Sequence, residues 1–224
     1  MIAAYMDSTN LKADATWDDI IKLCNEAAEL KMAAVCINPY RLELAVEVLK
    51  DTQVNKCTVI GFPLGADRPA AKYLTARESL LSGADELDMV INVGALKDGG
   101  YSYIGNEIKA LNQLKDEFEF LLKIIVETAL LSEKELVTIT KIVSDSQADF
   151  IKTSTGFSAR GASLNDINLI KRHKSEKLKI KASGGIRTLE AALAFIEAGV
   201  HRIGSSNAGV IVEEYRMRGG LLRR

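Results

Sequence analysis

Short β-rich apolar runs alternate with amphipathic stretches along the whole chain. Apolar runs of this length, bounded by turn residues, mark buried strands, and a 3.6-residue apolar period marks helices. The strand candidates are Ile2–Met6, Ala33–Ile37, Cys57–Phe62, Glu86–Asn92, Leu121–Glu127, Asp149–Thr153, Leu178–Ala182 and His201–Gly204. Each is followed by a helical pattern: Trp17–Leu30, Arg41–Lys50, Pro69–Leu81, Gly105–Asp116, Glu133–Ser146, Leu164–His173, Leu189–Glu197 and Ala208–Tyr215. The punctuation agrees with this division. Thr16 can cap the first helix, with Asp18 and Asp19 in its first turn. Asn38-Pro39 offers a cap and a proline at a helix start. Ser132 precedes the acidic turn Glu133-Lys134-Glu135. Gly83 and Gly199 follow helices and can take the left-handed cap.

Eight strand-then-helix units in 224 residues, with no composition shift, predict one α/β domain over residues 1–224. That domain is expected to be a single (β/α)8 TIM barrel. A doubly wound sheet would usually have fewer units at this length. It would also often carry a glycine-rich turn after its first strand, where this chain has Asp7-Ser8-Thr9-Asn10. In a barrel, polar side chains at the C-terminal ends of strands converge on the active site. The residues in such places are Asp7, Asn38, Asp88, Asn92, Glu127, Lys152 and Lys181.

Composition narrows the function. With 29 basic and 30 acidic residues the net charge is −1, which argues against a nucleic-acid or membrane-surface binder. Apolar residues make up 47%, enough for a sizeable core. No apolar run reaches the ~18 residues of a membrane span, and the N-terminus does not look like a signal peptide. Cys24, Cys36 and Cys57 form no close pair in sequence and no metal-ligand spacing, so free thiols in a reducing cytosol are expected. Cys36 fits a small buried core residue. His173 and His201 are far apart and are assigned no catalytic role.

Two lysines end apolar strands and are followed at once by small polar residues and glycine: Lys152-Thr153-Ser154-Thr155-Gly156 and Lys181-Ala182-Ser183-Gly184-Gly185. Pointing into the barrel mouth, they would be neighbours on the sixth and seventh strands. An amine with the ordinary value of about 10.4 is almost wholly protonated near neutrality, and only the neutral form attacks a carbonyl. Burial and a second ammonium both lower such a value. The pair can therefore supply a Schiff-base nucleophile and a cation that tunes it. The competing reading is two solvated strand ends whose ammoniums snorkel outward. Lys179 shares a face with Lys181 but lies deeper, and the sequence names no partner for it.

Asp88 sits in an apolar strand, where a carboxylate needs a partner. It could pair with the lysines and shuttle protons, or form a structural ion pair. The loops Gly184-Gly185-Ile186-Arg187-Thr188 and Gly204-Ser205-Ser206-Asn207 follow the seventh and eighth strands, where barrels often bind phosphate. Asn38, Glu127 or Thr128 could bond a sugar hydroxyl, although capping is the commoner role for Asn38.

These segments resemble the deoxyribose-phosphate aldolase family. The matching pieces are VCINP (Val35–Pro39), VIGFPLG (Val59–Gly65), ELDMVINVGALKDG (Glu86–Gly99), KIIVET (Lys123–Thr128), DFIKTSTGF (Asp149–Phe157), KASGGIRT (Lys181–Thr188) and RIGSS (Arg202–Ser206). The resemblance implies a class I aldolase on a (β/α)8 barrel. Such an enzyme reversibly splits 2-deoxy-D-ribose 5-phosphate into glyceraldehyde 3-phosphate and acetaldehyde, with no metal and no other cofactor. It implies Lys152 as the Schiff-base lysine, Lys181 as the group lowering its pKa, and Asp88 as proton relay. It also implies Gly156, Gly184, Gly185, Gly204, Ser205 and Ser206 as phosphate-binding residues. The partners would be a sugar phosphate and an aldehyde, not nucleic acid or membrane, and a homodimer is compatible. The chain departs from the family pattern at Ser8, where histidine is usual, and at Asn207, where a second serine is common. It also ends in Leu221-Leu222-Arg223-Arg224, where some members have a tyrosine.

Overall fold

The computed structural model describes residues 2–219, so the tail departure at Leu221–Arg224 lies outside the described residues. Strands β1 (Met6–Asn10), β2 (Ala34–Ile37), β3 (Asn55–Ile60) and β4 (Glu86–Val90) lead into β5 (Leu121–Ile125), β6 (Phe150–Lys152), β7 (Lys179–Ser183) and β8 (Arg202–Ser205). All neighbours pair in parallel, and β8 pairs back onto β1, closing the barrel in sequence order. The helices between them are α1 (Trp17–Leu30), α2 (Leu42–Leu49), α3 (Pro69–Leu81), α4 (Val93–Lys97), α5 (Tyr101–Asn112), α6 (Glu133–Asp145), α7 (Leu164–His173), α8 (Leu189–Ala198) and α9 (Ala208–Met217). This is the expected (β/α)8 barrel. Among the described residues no helix is long and apolar enough to cross a membrane.

Local chemistry sets the helix starts. Thr16 Oγ1 accepts the Asp19 N–H at 3.2 Å while the Asp19 carboxylate accepts the Thr16 N–H at 2.8 Å. Ser132 with Glu135 and Ser163 with Asp166 repeat this reciprocal box on α6 and α7. Each such cap is worth about 1 kcal/mol. Asn38 makes no capping bond; its Nδ2 donates to Lys12 O at 3.3 Å and ties the β2 and β1 loops together. Gly199 takes the left-handed cap of α8 with φ 100°.

The first strand differs from the expected one. Ile2–Tyr5 form a 3-10 turn, and the strand is Met6–Asn10. Ile2 and Ala3 of this turn are buried in the main apolar core rather than within the barrel wall. The true strand looks polar because Asp7 faces a charged interior. Helix α4 was also unmarked in the sequence; the Asn92 side chain starts it by accepting the Ala95 N–H at 3.0 Å. The fourth helical stretch runs Tyr101–Asn112 and then tightens to a 3-10 turn at Gln113–Asp116.

Alternation along the strands sorts the side chains. Leu87, Met89, Leu122, Ile124, Ile151, Ile180 and Ile203 face the helices and join the main apolar core. The opposite face of the same strands carries Glu86, Asp88, Lys123, Lys152, Lys181 and Arg202 inward. The barrel is therefore apolar outside its wall and ionic at its centre.

Candidate active site

Strand register builds the centre. Lys152 lies directly beside Lys181, and Asp88 beside Lys123. The Asp88 carboxylate accepts from three ammoniums. Its Oδ2 takes Lys152 Nζ at 2.7 Å and Lys181 Nζ at 2.8 Å, and its Oδ1 takes Lys123 Nζ at 2.7 Å. Lys181 also meets Asp7 Oδ2 at 2.5 Å, and Lys123 meets Glu86 Oε2 at 2.5 Å. Arg202 bridges Asp7 Oδ1 at 2.7 Å and Glu86 Oε1 at 3.2 Å, closing a ring of charges. Asp7, Glu86, Asp88, Lys123 and Lys181 are fully buried.

Burial alone would raise the Asp88 carboxyl, but Lys123, Lys152 and Lys181 together hold it well below the ordinary range. Asp7 is likewise opposed by burial, yet Lys181 and Arg202 bring it down to about 2. For Lys181, burial works against the charge, but Asp7 and Asp88 outweigh it and keep the ammonium protonated. Lys123 behaves in the same way beside Asp88 and Glu86. The network holds three carboxylates against four cationic side chains, so the neutral form of one lysine would balance it.

Lys152 is the member of this network that lines a cavity of about 350 Å³ at the C-terminal ends of the strands. Gly156, Gly184, Gly185, Gly204, Ser205 and Ser206 all line the same cavity. Gly184 has φ +84°, and a Cβ there would lie 2.9 Å from Gly161 Cα. A Cβ on Gly204 would lie 3.2 Å from Lys181 Cε, so this glycine leaves the room the lysine fills. Ser205 Oγ donates to Ile186 O at 2.6 Å and accepts the Asn207 N–H at 3.0 Å, fixing one loop to the other.

Several sequence readings fall elsewhere. Glu127 accepts the Thr155 N–H at 3.2 Å and the Thr155 hydroxyl, while Thr128 donates to Asp166 at 2.9 Å. Neither they nor Asn38 are among the residues lining the cavity. Lys179 is exposed at the start of β7, with its ammonium 5.6 Å from the Phe150 ring, so no buried charge needs a partner there. His201 accepts the Ile180 N–H at the opposite end of the barrel, at 3.2 Å. Cys36 and Cys57, which the sequence leaves unpaired, are register partners on β2 and β3. With Asp88 they form a buried group whose sulfur and oxygen atoms lie within 4.8 Å of one another.

The sequence reading missed Lys123, Glu86 and Arg202 as parts of the centre. Lys123 had a signal, since it interrupts an apolar strand as conspicuously as Asp88 does. Arg187 and Lys12 also line the cavity and went unassigned.

The profile of the DeoC/LacD family aldolases matches residues 1–212. A deoxyribose-phosphate aldolase of Thermococcus gammatolerans is 49% identical over 217 residues, 96% of each chain. One of Caldicellulosiruptor saccharolyticus is 49% identical over 214 residues, 95% of this chain and 97% of that one. Among solved structures, an aldolase called QR15 superposes with a TM-score of 0.93 at 40% identity, covering 99% of both chains. The deoxyribose phosphate aldolase of Aeropyrum pernix, described as a unique tetramer, gives 0.89 at 29% identity over 96% of this chain and 91% of that one. With a family profile spanning nearly the whole chain and an ionic barrel centre built around lysines, the protein belongs to the DeoC/LacD family of aldolases.

Proposed function

We propose that this aldolase cleaves 2-deoxy-D-ribose 5-phosphate reversibly to acetaldehyde and glyceraldehyde 3-phosphate, through a Schiff base on Lys152. The observation that carries the assignment is the shared carboxylate oxygen. Lys152 and Lys181 meet on Asp88 Oδ2, and Lys152 is the one that lines the cavity.

The attacking form of Lys152 is the neutral amine, which leaves three cations facing three carboxylates. Its amine adds to the C1 aldehyde of the open-chain sugar. Asp88 takes up and returns protons as the carbinolamine forms and loses water. The resulting iminium accepts the electron pair of the C2–C3 bond. Glyceraldehyde 3-phosphate departs as the 3-hydroxyl loses its proton, leaving an enamine. Protonation at C2 and hydrolysis then release acetaldehyde and regenerate Lys152. Lys181, held cationic by Asp7 and Asp88, supplies a fixed positive charge beside the reacting nitrogen.

The glycine loops after β6, β7 and β8 would hold the phosphate through backbone N–H groups. Gly156, Gly184, Gly185, Gly204, Ser205 and Ser206 surround one part of the cavity, and Arg187 brings a cation to it. Homo-oligomeric assembly, in the cytosol, belongs to the same proposal. A dimer and the tetramer described for the Aeropyrum relative are distinguished by light scattering.

Turnover is read by coupling glyceraldehyde 3-phosphate release to a dehydrogenase, with and without a chelator. The expected result is deoxyribose 5-phosphate cleavage insensitive to the chelator. No cleavage of this sugar, with lysine trapping intact, would move the assignment to another sugar phosphate.

A further inference from the structure

Cys36 and Cys57 are buried nucleophiles that the aldol chemistry does not use. They are Cα partners on adjacent parallel strands, and such strands run about 4.8 Å apart. Disulfides span Cα separations of about 4.4–6.8 Å. Both sulfurs point inward to the same carboxylate: Cys57 Sγ lies 3.2 Å from Asp88 Oδ1 and Cys36 Sγ 4.0 Å from Asp88 Oδ2. The two sulfurs are within 4.8 Å of each other.

We propose that Cys36 and Cys57 are a modification site: a dithiol that a hydroperoxide closes to a disulfide beneath Lys152, slowing the enzyme until a thiol reductant reopens it. The Cys36 thiolate attacks a peroxide oxygen and the O–O bond breaks. Cys36 becomes a sulfenic acid, and the departing alkoxide or hydroxide leaves as alcohol or water with the proton Cys36 gave up. The Cys57 sulfur then attacks the Cys36 sulfur, the S–O bond breaks, and hydroxide leaves with the Cys57 proton as water. Two thiols supply the two electrons that reduce one peroxide.

The surroundings favour Cys36 as the attacking group. The adjacent Cys57 side chain draws the Cys36 thiol below the ordinary range. Lys181 and Lys152 add to this, against burial and the Asp88 charge. The pair adjoins the cavity wall: Leu11, which lines the cavity, belongs to the same buried cluster as the two cysteines, and Lys152, which also lines it, shares Asp88 Oδ2 with Cys36. Closing the sulfurs to about 2.05 Å removes the Cys57 S–H from Asp88 Oδ1. It also draws the sulfur away from Lys123 Nζ, now 3.3 Å distant. Cys57 and Lys123 each contact the carboxylate that holds Lys152. Cys24 is an internal control: it lies on α1, and burial pushes its thiol up to about 12.

The test uses the full chain and hydrogen peroxide, followed by intact mass and non-reducing peptide mapping. This readout does not depend on the aldolase reading; the activity readout does. The expected result is a loss of about 2 Da, a Cys36–Cys57 linked peptide and a reduced Cys24. A fall in turnover of at least about fivefold should track the link and recover in dithiothreitol. Cys36→Ala, which removes the attacking thiol, should show neither the linked peptide nor the dithiothreitol-reversible fall. Exposed Met217 serves as the clock for peroxide exposure. Absence of the linked peptide in the natural chain once Met217 is fully oxidised would overturn the proposal. So would a reversible loss of turnover in Cys36→Ala equal to that of the natural chain.

Discussion

Replacing Asp88 by asparagine keeps the shape of the side chain and removes one buried charge. Three ammoniums then lose a carboxylate that stood 2.7, 2.7 and 2.8 Å away. Lys123 retains Glu86 and Lys181 retains Asp7, each at 2.5 Å. Lys152 retains no carboxylate among the ion pairs of the described residues. Breaking a buried pair by removing one partner costs about 3–5 kcal/mol. Two of the three lysines keep a second partner, which places Asp88→Asn near the lower end, about 3 kcal/mol. For a domain of this size that is a fall in Tm of about 6–12 °C. Turnover should drop by about 10²–10⁴, the range for a removed acid–base group. The pH dependence adds a separate check. The folded Asp88 carboxyl lies below its unfolded value, so its stabilising contribution is fully present above about pH 4. It is lost as pH falls through the lower folded value. The stability gap between natural and variant chains should therefore stay flat from about pH 5 to 8 and narrow only in stronger acid. Calorimetry across pH, with the coupled turnover assay, measures both. A Tm within about 2 °C and turnover within about threefold of the natural chain would refute the reasoning.

Other perturbations test separate parts of the account. Lys123→Met removes a charge that never meets the cavity. It should cost about 3–5 kcal/mol in denaturant unfolding, because Glu86 and Asp88 each lose an ammonium partner. Gly161→Ala would place a Cβ 2.0 Å from Gly184 O. It should raise KM for the phosphorylated sugar about tenfold or more while changing kcat/KM for unphosphorylated deoxyribose little, as steady-state kinetics on both sugars would show. Glu107→Gln breaks the fully buried pair with Lys72, 2.5 Å apart, outside the barrel centre. It should lower stability by about 3 kcal/mol with a smaller effect on turnover than Asp88→Asn.

The sequence made the wall of the barrel legible because its outward face follows ordinary rules: apolar runs, caps and glycine stops. Lys152, Lys181 and Asp88 stood out as charges inside apolar strands. The glycine loops stood out by their place after the seventh and eighth of those strands. What stayed hidden was pairing between strands. Lys123 is an anomaly of the same kind, but its meaning depends on lying beside Asp88, and register is a property of two strands at once. Asp7 was visible as a polar residue near a strand end, yet its strand was placed too early. The inward face there is ionic, so the usual apolar signal falls on the preceding turn. Cys36 and Cys57 are 21 residues apart in sequence and become neighbours only when β2 and β3 pair.

The central claim is that Lys152, and no other buried lysine, forms the covalent intermediate. Limiting acetaldehyde followed by borohydride, then peptide mass mapping, tests it directly. The account predicts a gain of about 28 Da, one ethyl group, on Lys152, with Lys123 and Lys181 unmodified and trapping abolished in Lys152→Met. Folded, active protein in which Lys152 stays unmodified, or in which Lys181 carries the label, would contradict it.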